Sequence, residues 1–178
     1  MKILVFTEKP FAPAAVKAIE NSINASGNEL EVVEGGTRAD LLEAVRNADG
    51  LIVRSDKIDN DIMDAAPQLK VIVRAGAGYD NIDLEAATKH GICVMNTPGQ
   101  NSNAVAELVF GMIIMMCRNQ YNGKSGTELK DKTLGLYAFG QVGRNVARIA
   151  KGFGMHVSAL DKFVPDVMME GEGVKPLH

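Results

Sequence analysis

The stretch from Thr133 to Asp161 constrains this chain more than any other. An apolar run, Thr133-Leu134-Gly135-Leu136-Tyr137, enters a turn built on Ala138, Gly140 and Gly143, and a helix-patterned segment leaves it. Val142, Val146, Ile149, Ala150 and Phe153 fall on one helical face, so this helix must lay an apolar stripe on a sheet. A second apolar run, His156–Leu160, ends in Asp161, 18 positions after Gly143. Strand, glycine turn, helix and acid-ended strand together make a βαβ unit of the dinucleotide-binding kind.

Each part of this unit has a physical task. Gly140 lets the backbone come close to a pyrophosphate, and Gly143 lets the helix pack tightly on its strand. Free N–H groups at the helix start, around Gln141 and Val142, suit phosphate oxygens. Asp161 is placed to accept hydrogen bonds from ribose hydroxyls and to repel a 2′-phosphate, so the expected cofactor is NAD and not NADP. Ala138 stands where such turns carry their first glycine. An alanine fits if φ stays negative there, and its methyl leaves less room beneath the cofactor.

The rest of the chain alternates in the same way. Strands are expected at Ile3–Thr7, Leu30–Glu34, Leu51–Val53, Val71–Arg74 and Ile92–Met95, apolar enough to be covered on both faces. Helices are expected between them: one carrying Val16, Ile19 and Ile23, one capped by Thr37 with Asp40, one around Ile62 and Met63, and one from about Asp83 to His90. This is the pattern of an α/β protein with parallel sheets. The turn Asn96-Thr97-Pro98-Gly99 suggests a first domain over residues 1–99. Residues 100–178 would then hold a long helix and the start of a second domain. Between them Asn119 to Gly126 reads as a polar linker.

Composition excludes several classes. A net charge of −3 argues against a nucleic-acid-binding surface. Cys93 and Cys117 lie in apolar runs and read as reduced core residues, with no zinc-ligand spacing around them. No targeting segment is evident and no apolar run is long enough for a bilayer, so a cytoplasmic protein without membrane or metal partners is expected. The segment from Ser102 to Arg118 is apolar on nearly every face and reads as a helix buried on most sides.

Several motifs in order carry a family resemblance. They are Leu51-Ile52-Val53-Arg54-Ser55, Val73-Arg74-Ala75-Gly76-Ala77-Gly78-Tyr79-Asp80-Asn81-Ile82-Asp83, Val94-Met95-Asn96-Thr97-Pro98, Asn101-Ser102, Ala106-Glu107-Leu108-Val109, Thr127-Glu128-Leu129 and the glycine turn. Together they resemble the D-isomer-specific 2-hydroxyacid dehydrogenases, in particular those that oxidise 3-phosphoglycerate with NAD at the start of serine synthesis. The resemblance implies a flavodoxin-like or Rossmann-like substrate domain followed by a Rossmann NAD-binding domain. It implies that backbone N–H groups of Gly76, Ala77 and Gly78 hold the substrate carboxylate. By the same likeness Arg54, Ser55 and Arg74 read the phosphate, and Asn101 contacts the ligand. Two anionic ends and two arginines agree chemically, because guanidinium forks suit phosphate. The helix 102–118 would join two copies in a homodimer, although the stretch after Arg118 is shorter than the family usually carries.

The resemblance also implies a catalytic Arg, Glu and His from later in the nucleotide domain. His90, His156 and His178 do not match them, so no catalytic residue is expected in this sequence, and the chain reads as a truncated form that is inactive alone. Two other readings stay open. One is a relative acting on glyoxylate, hydroxypyruvate or a bulkier keto acid, against which the paired arginines stand. The other is a non-catalytic protein that responds to NAD or serves only in assembly.

Overall fold

From Ile3 to Thr7 every residue of the first strand, β1 (Lys2–Thr7), is buried, which requires cover on both faces. In the computed structural model, which describes residues 1–178, β1 is joined by β2 (Glu29–Glu34), β3 (Gly50–Val53), β4 (Val71–Arg74) and β5 (Cys93–Asn96). The sheet order is β2-β1-β3-β4-β5, and every neighbouring pair runs parallel. Order reverses between β1 and β3, the switch point at whose carboxyl end open α/β sheets bind ligands.

The crossovers are α1 (Pro13–Ala25), α2 (Arg38–Ala44), α3 (Asn60–Asp64) and α4 (Leu84–Lys89). Thr37 and Asp40 form the expected reciprocal capping box on α2, and Asp83 caps α4 by accepting the Ala86 N–H at 2.9 Å. The core of this unit joins Leu4, Phe6, Leu51, Val53 and Ile72 of the sheet to Leu41, Val45, Ile62 and Met63 of the helices.

The chain divides into two compact units, Met1–Pro98 and Gly99–His178. The second holds α5 (Ser102–Cys117), β6 (Thr133–Tyr137), α6 (Gln141–Gly152), β7 (His156–Leu160), α7 (Asp166–Gly171) and β8 (Lys175–Pro176). Its three strands are parallel in the order β6-β7-β8. Its core is Phe139 with Val146, Ala147 and Ala150 of α6, Val157 and Ala159 of β7, and Ala106 and Phe110 of α5. Phe110 stacks on Phe153 with ring centroids 5.2 Å apart.

Several expectations need correction. Helix α5 buries only Ser102, Ala106 and Phe110, while Leu108, Met112 and Met116 are 62%, 52% and 76% exposed. Apolar residues all round a helix show that it needs cover, not that its own unit supplies it. Cys93 is exposed and Cys117 half-buried, because one lies on the edge strand β5 and the other in the last turn of α5. Full cover holds for β1, whereas β2, β5 and β6 alternate toward solvent. The stretch after α5 is no loose linker. Asn119, Gln120 and Tyr121 all have positive φ, Asn119 donates to the Ser125 carbonyl at 2.6 Å, and the Thr127 N–H donates to the Cys117 carbonyl at 2.9 Å.

Candidate functional site

Two loops at carboxyl ends of parallel strands gather the expected site residues, one in each unit. In the first unit Arg74 ends β4, and Arg54 and Ser55 follow the neighbouring β3, with Val53 paired to Arg74. Register therefore brings both arginines to one end of the sheet. Ser55 is exposed beside them. The loop Gly76-Ala77-Gly78 leaves β4 and is fixed from β5: Asn96 donates to the Ala77 carbonyl at 2.8 Å, and the Thr97 N–H donates to that of Gly76 at 2.9 Å. Contrary to expectation the Gly76 N–H is not free, because it donates to the Arg74 carbonyl at 2.8 Å, whereas the Ala77 and Gly78 N–H groups have no acceptor in the chain.

The Arg74 side chain has neither an ion pair nor a hydrogen-bond partner, and its Nε is buried. It lies over Gly76, where a Cβ would collide with the guanidinium. An unpaired buried donor of a charged group is costly, so a cation here beside two free amides is a frame for an anion. Arg54 is held differently. Its Nη1 donates to the Pro10 and Lys9 carbonyls at 2.9 and 3.3 Å, and its guanidinium lies 5.4 Å from the Phe11 ring centre. The Thr7 hydroxyl also donates to the Lys9 carbonyl, at 2.6 Å, which fixes the loop that Arg54 grips. A cavity of about 440 Å³ opens nearby, lined by Glu8, Gly36, Arg38 and Asp56. Asn101 stands exposed at the start of α5, in the second unit.

In the second unit the glycine turn joins β6 to α6. Gly140 caps the helix, and the Arg144 N–H is the first to return to it, at 2.9 Å. The N–H groups of Gly140, Gln141, Val142 and Gly143 are left without acceptors, at the positive end of a helix of 12 residues. A Cβ on Gly140 would meet nothing within 4 Å, so open space lies where a phosphate would approach. A Cβ on Gly143 would stand 2.5 Å from the Ala138 carbonyl oxygen, so only glycine lets helix and strand meet. These residues fit a dinucleotide.

Two features depart from expectation. Ala138 has φ +90°, not the negative value that would suit an alanine, and a side chain held there costs about 1–3 kcal/mol. Asp161 already has partners: Oδ2 accepts the Phe139 N–H at 2.7 Å, and Oδ1 accepts those of Phe163 and Val164 at 2.8 and 3.1 Å. The Phe139 N–H, followed by that of Phe163, holds this carboxyl below the usual carboxylate range. The sequence reading missed Asn96, although its place beside Arg74 at a parallel strand end could have marked it. It also missed the amides around Asp161, which no side-chain pattern encodes. Nothing in the first unit brings a histidine to the arginine loop: His90 closes α4, with Nε2 3.3 Å from Asp64.

The model of the D-isomer specific 2-hydroxyacid dehydrogenase catalytic domain matches residues 3–169. The chain belongs to this family. Among dehydrogenases similar to it, D-3-phosphoglycerate dehydrogenase of Methanocaldococcus jannaschii is 40% identical over 189 residues, covering 98% of this chain and 35% of that protein. The human D-3-phosphoglycerate dehydrogenase is 41% identical over 164 residues, covering 83% of this chain and 31% of that protein. A crystal structure of NAD+-bound 3-phosphoglycerate dehydrogenase from Entamoeba histolytica superposes with a TM-score of 0.88 at 51% identity, over 93% of this chain and 55% of that one. The chain thus spans about a third of these curated dehydrogenases and just over half of the solved one.

Proposed function

We propose that this chain carries the substrate-recognition unit, over residues 1–98, and the phosphate-binding part of the nucleotide unit of an NAD-dependent D-2-hydroxyacid dehydrogenase acting on 3-phosphoglycerate. The observation that carries the reading is the unpaired Arg74 beside the free Ala77 and Gly78 amides. Those amides take the substrate carboxylate, with Gly76 giving Arg74 room above the loop. Arg54, Ser55 and Arg74 take the phosphate end, and Arg54 keeps Nε and Nη2 free while Nη1 is engaged.

The turn from Ala138 to Gly143 holds the NAD pyrophosphate on the amides of Gly140, Gln141 and Val142, and Asp161 faces the ribose. NAD, when bound, supplies the hydride acceptor for the carbon that bears the hydroxyl. Helix α5 joins two copies through its exposed apolar face, which includes Leu108, Met112, Met115 and Met116. No helix is long and apolar enough to cross a membrane.

The test is ligand binding by calorimetry, with 3-phosphoglycerate and D-glycerate titrated into wild type and Arg54→Ala in the presence of NADH. Arg54→Ala should weaken the phosphorylated ligand by about tenfold or more and the unphosphorylated one much less. Equal losses would remove the phosphate assignment and favour a relative that uses a simpler 2-hydroxy acid. NADH oxidation with 3-phosphohydroxypyruvate at near-stoichiometric protein adds a second reading. Turnover would place a proton-transfer group among the residues present.

A further inference from the structure

The nucleotide turn contains a contradiction that its motif does not explain. Ala138 occupies a backbone conformation that favours glycine, with φ +90°, yet Ala138 is exposed. Something else must hold the turn. Three interactions border it. The Ala138 N–H continues the β6–β7 ladder to the Leu160 carbonyl at 2.8 Å. The Ala138 carbonyl packs against Gly143. The next amide, Phe139 N–H, ends on Asp161 Oδ2 at 2.7 Å. The ladder holds the Ala138 N–H, the Gly143 contact fixes the helix after the bend, and the Phe139 ring is anchored in the core. Asp161 is the side chain that hydrogen-bonds the backbone of the bend from outside the turn.

The other end of Asp161 is also fastened. Oδ1 accepts two successive amides, Phe163 and Val164, from the turn that follows β7. The carboxylate is therefore a bridge between the turn after β6 and the turn after β7. We infer that Asp161 is a positioning residue that holds the phosphate-facing turn in its glycine-like form around Ala138 before any nucleotide arrives, in addition to its proposed contact with the ribose. The three donors use both oxygens and leave little free accepting capacity, so a ribose hydroxyl must share Oδ2 or displace an amide on Oδ1. Its lowered pKa fits an anion that accepts several backbone donors.

This inference rests on the nucleotide reading only for its binding arm, and the experiment separates the two. Amide hydrogen exchange, followed by NMR on the 178-residue chain without nucleotide, should show the Phe139, Phe163 and Val164 amides protected in the wild type. Asp161→Ala should cost those three amides most of their protection while the inner residues of β7 keep theirs. Unchanged protection would overturn the bridge.

A cycle of NADH affinities then uses Asp161→Ala, Ala138→Gly and the double variant. Asp161→Ala should weaken NADH by roughly ten- to a hundredfold, the range for a hydrogen bond to a charged group. In the Ala138→Gly background, where no strain needs holding, the loss should shrink by at least about threefold. Strictly additive losses would overturn the positioning role and leave Asp161 a ribose contact alone. Lost protection in a chain whose wild type never binds NADH would sink the nucleotide reading and leave the bridge standing.

Discussion

The two anion-facing loops solve one problem by opposite means. Both follow a parallel strand, and both leave successive backbone amides without acceptors. The loop at Gly76–Gly78 takes its positive charge from a side chain, Arg74, and is fixed through its carbonyls by Asn96 and Thr97. The turn at Ala138–Gly143 takes its positive charge from the start of α6 and is fixed through an amide by Asp161. The proposed substrate, with two different anionic ends, calls for charges that a point mutation can tune. A pyrophosphate, the same in every dinucleotide, is served by fixed backbone dipoles.

If this contrast is right, the second loop is broken by packing and the first by charge. The largest effect should come from Gly143→Ala, whose methyl would meet the Ala138 carbonyl, a backbone atom that cannot yield. Overpacking of this kind costs about 1–3 kcal/mol, so thermal unfolding should come several degrees earlier and NADH binding should fall together with it. Arg74→Ala should do the reverse. Calorimetry should show 3-phosphoglycerate weakened by about tenfold or more, with the melting temperature unchanged or raised, because an unsatisfied buried donor is removed. A melting loss as large as that of Gly143→Ala would erase the distinction.

The smallest effect lies in pH. The Asp161 carboxyl titrates below its usual 3.8 when folded, so its contribution is intact above that value and is lost as pH falls below it, through the folded pKa. In an NMR titration the Phe139 amide resonance should hold steady down to about pH 4 and then move. The Ala77 amide, which no carboxylate accepts, should show no such step.

Much of this was legible in the sequence, for physical reasons. The strands β4 and β7 fall where their apolar runs begin and end, and Thr37 with Asp40 announced a cap that the fold forms in both directions. Arg54 and Arg74 could be placed at one sheet end because parallel strands share their carboxyl ends. Other features are invisible to residue type. The sign of φ at Ala138 is set by the bend, not by the methyl, and the partners of Asp161 are amides that every residue carries. The short β8 hides behind Pro176, and a helix apolar on nearly every face does not announce that Leu108, Met112 and Met116 of α5 stay exposed.

That last feature reaches beyond the architecture. In the proposed homodimer Leu108, Met112, Met115 and Met116 become dry only when the second copy meets them, and part of the stability of this unit would then be written in mass action. Its melting midpoint should climb with protein concentration, and dilution should act on the protein as a denaturant does.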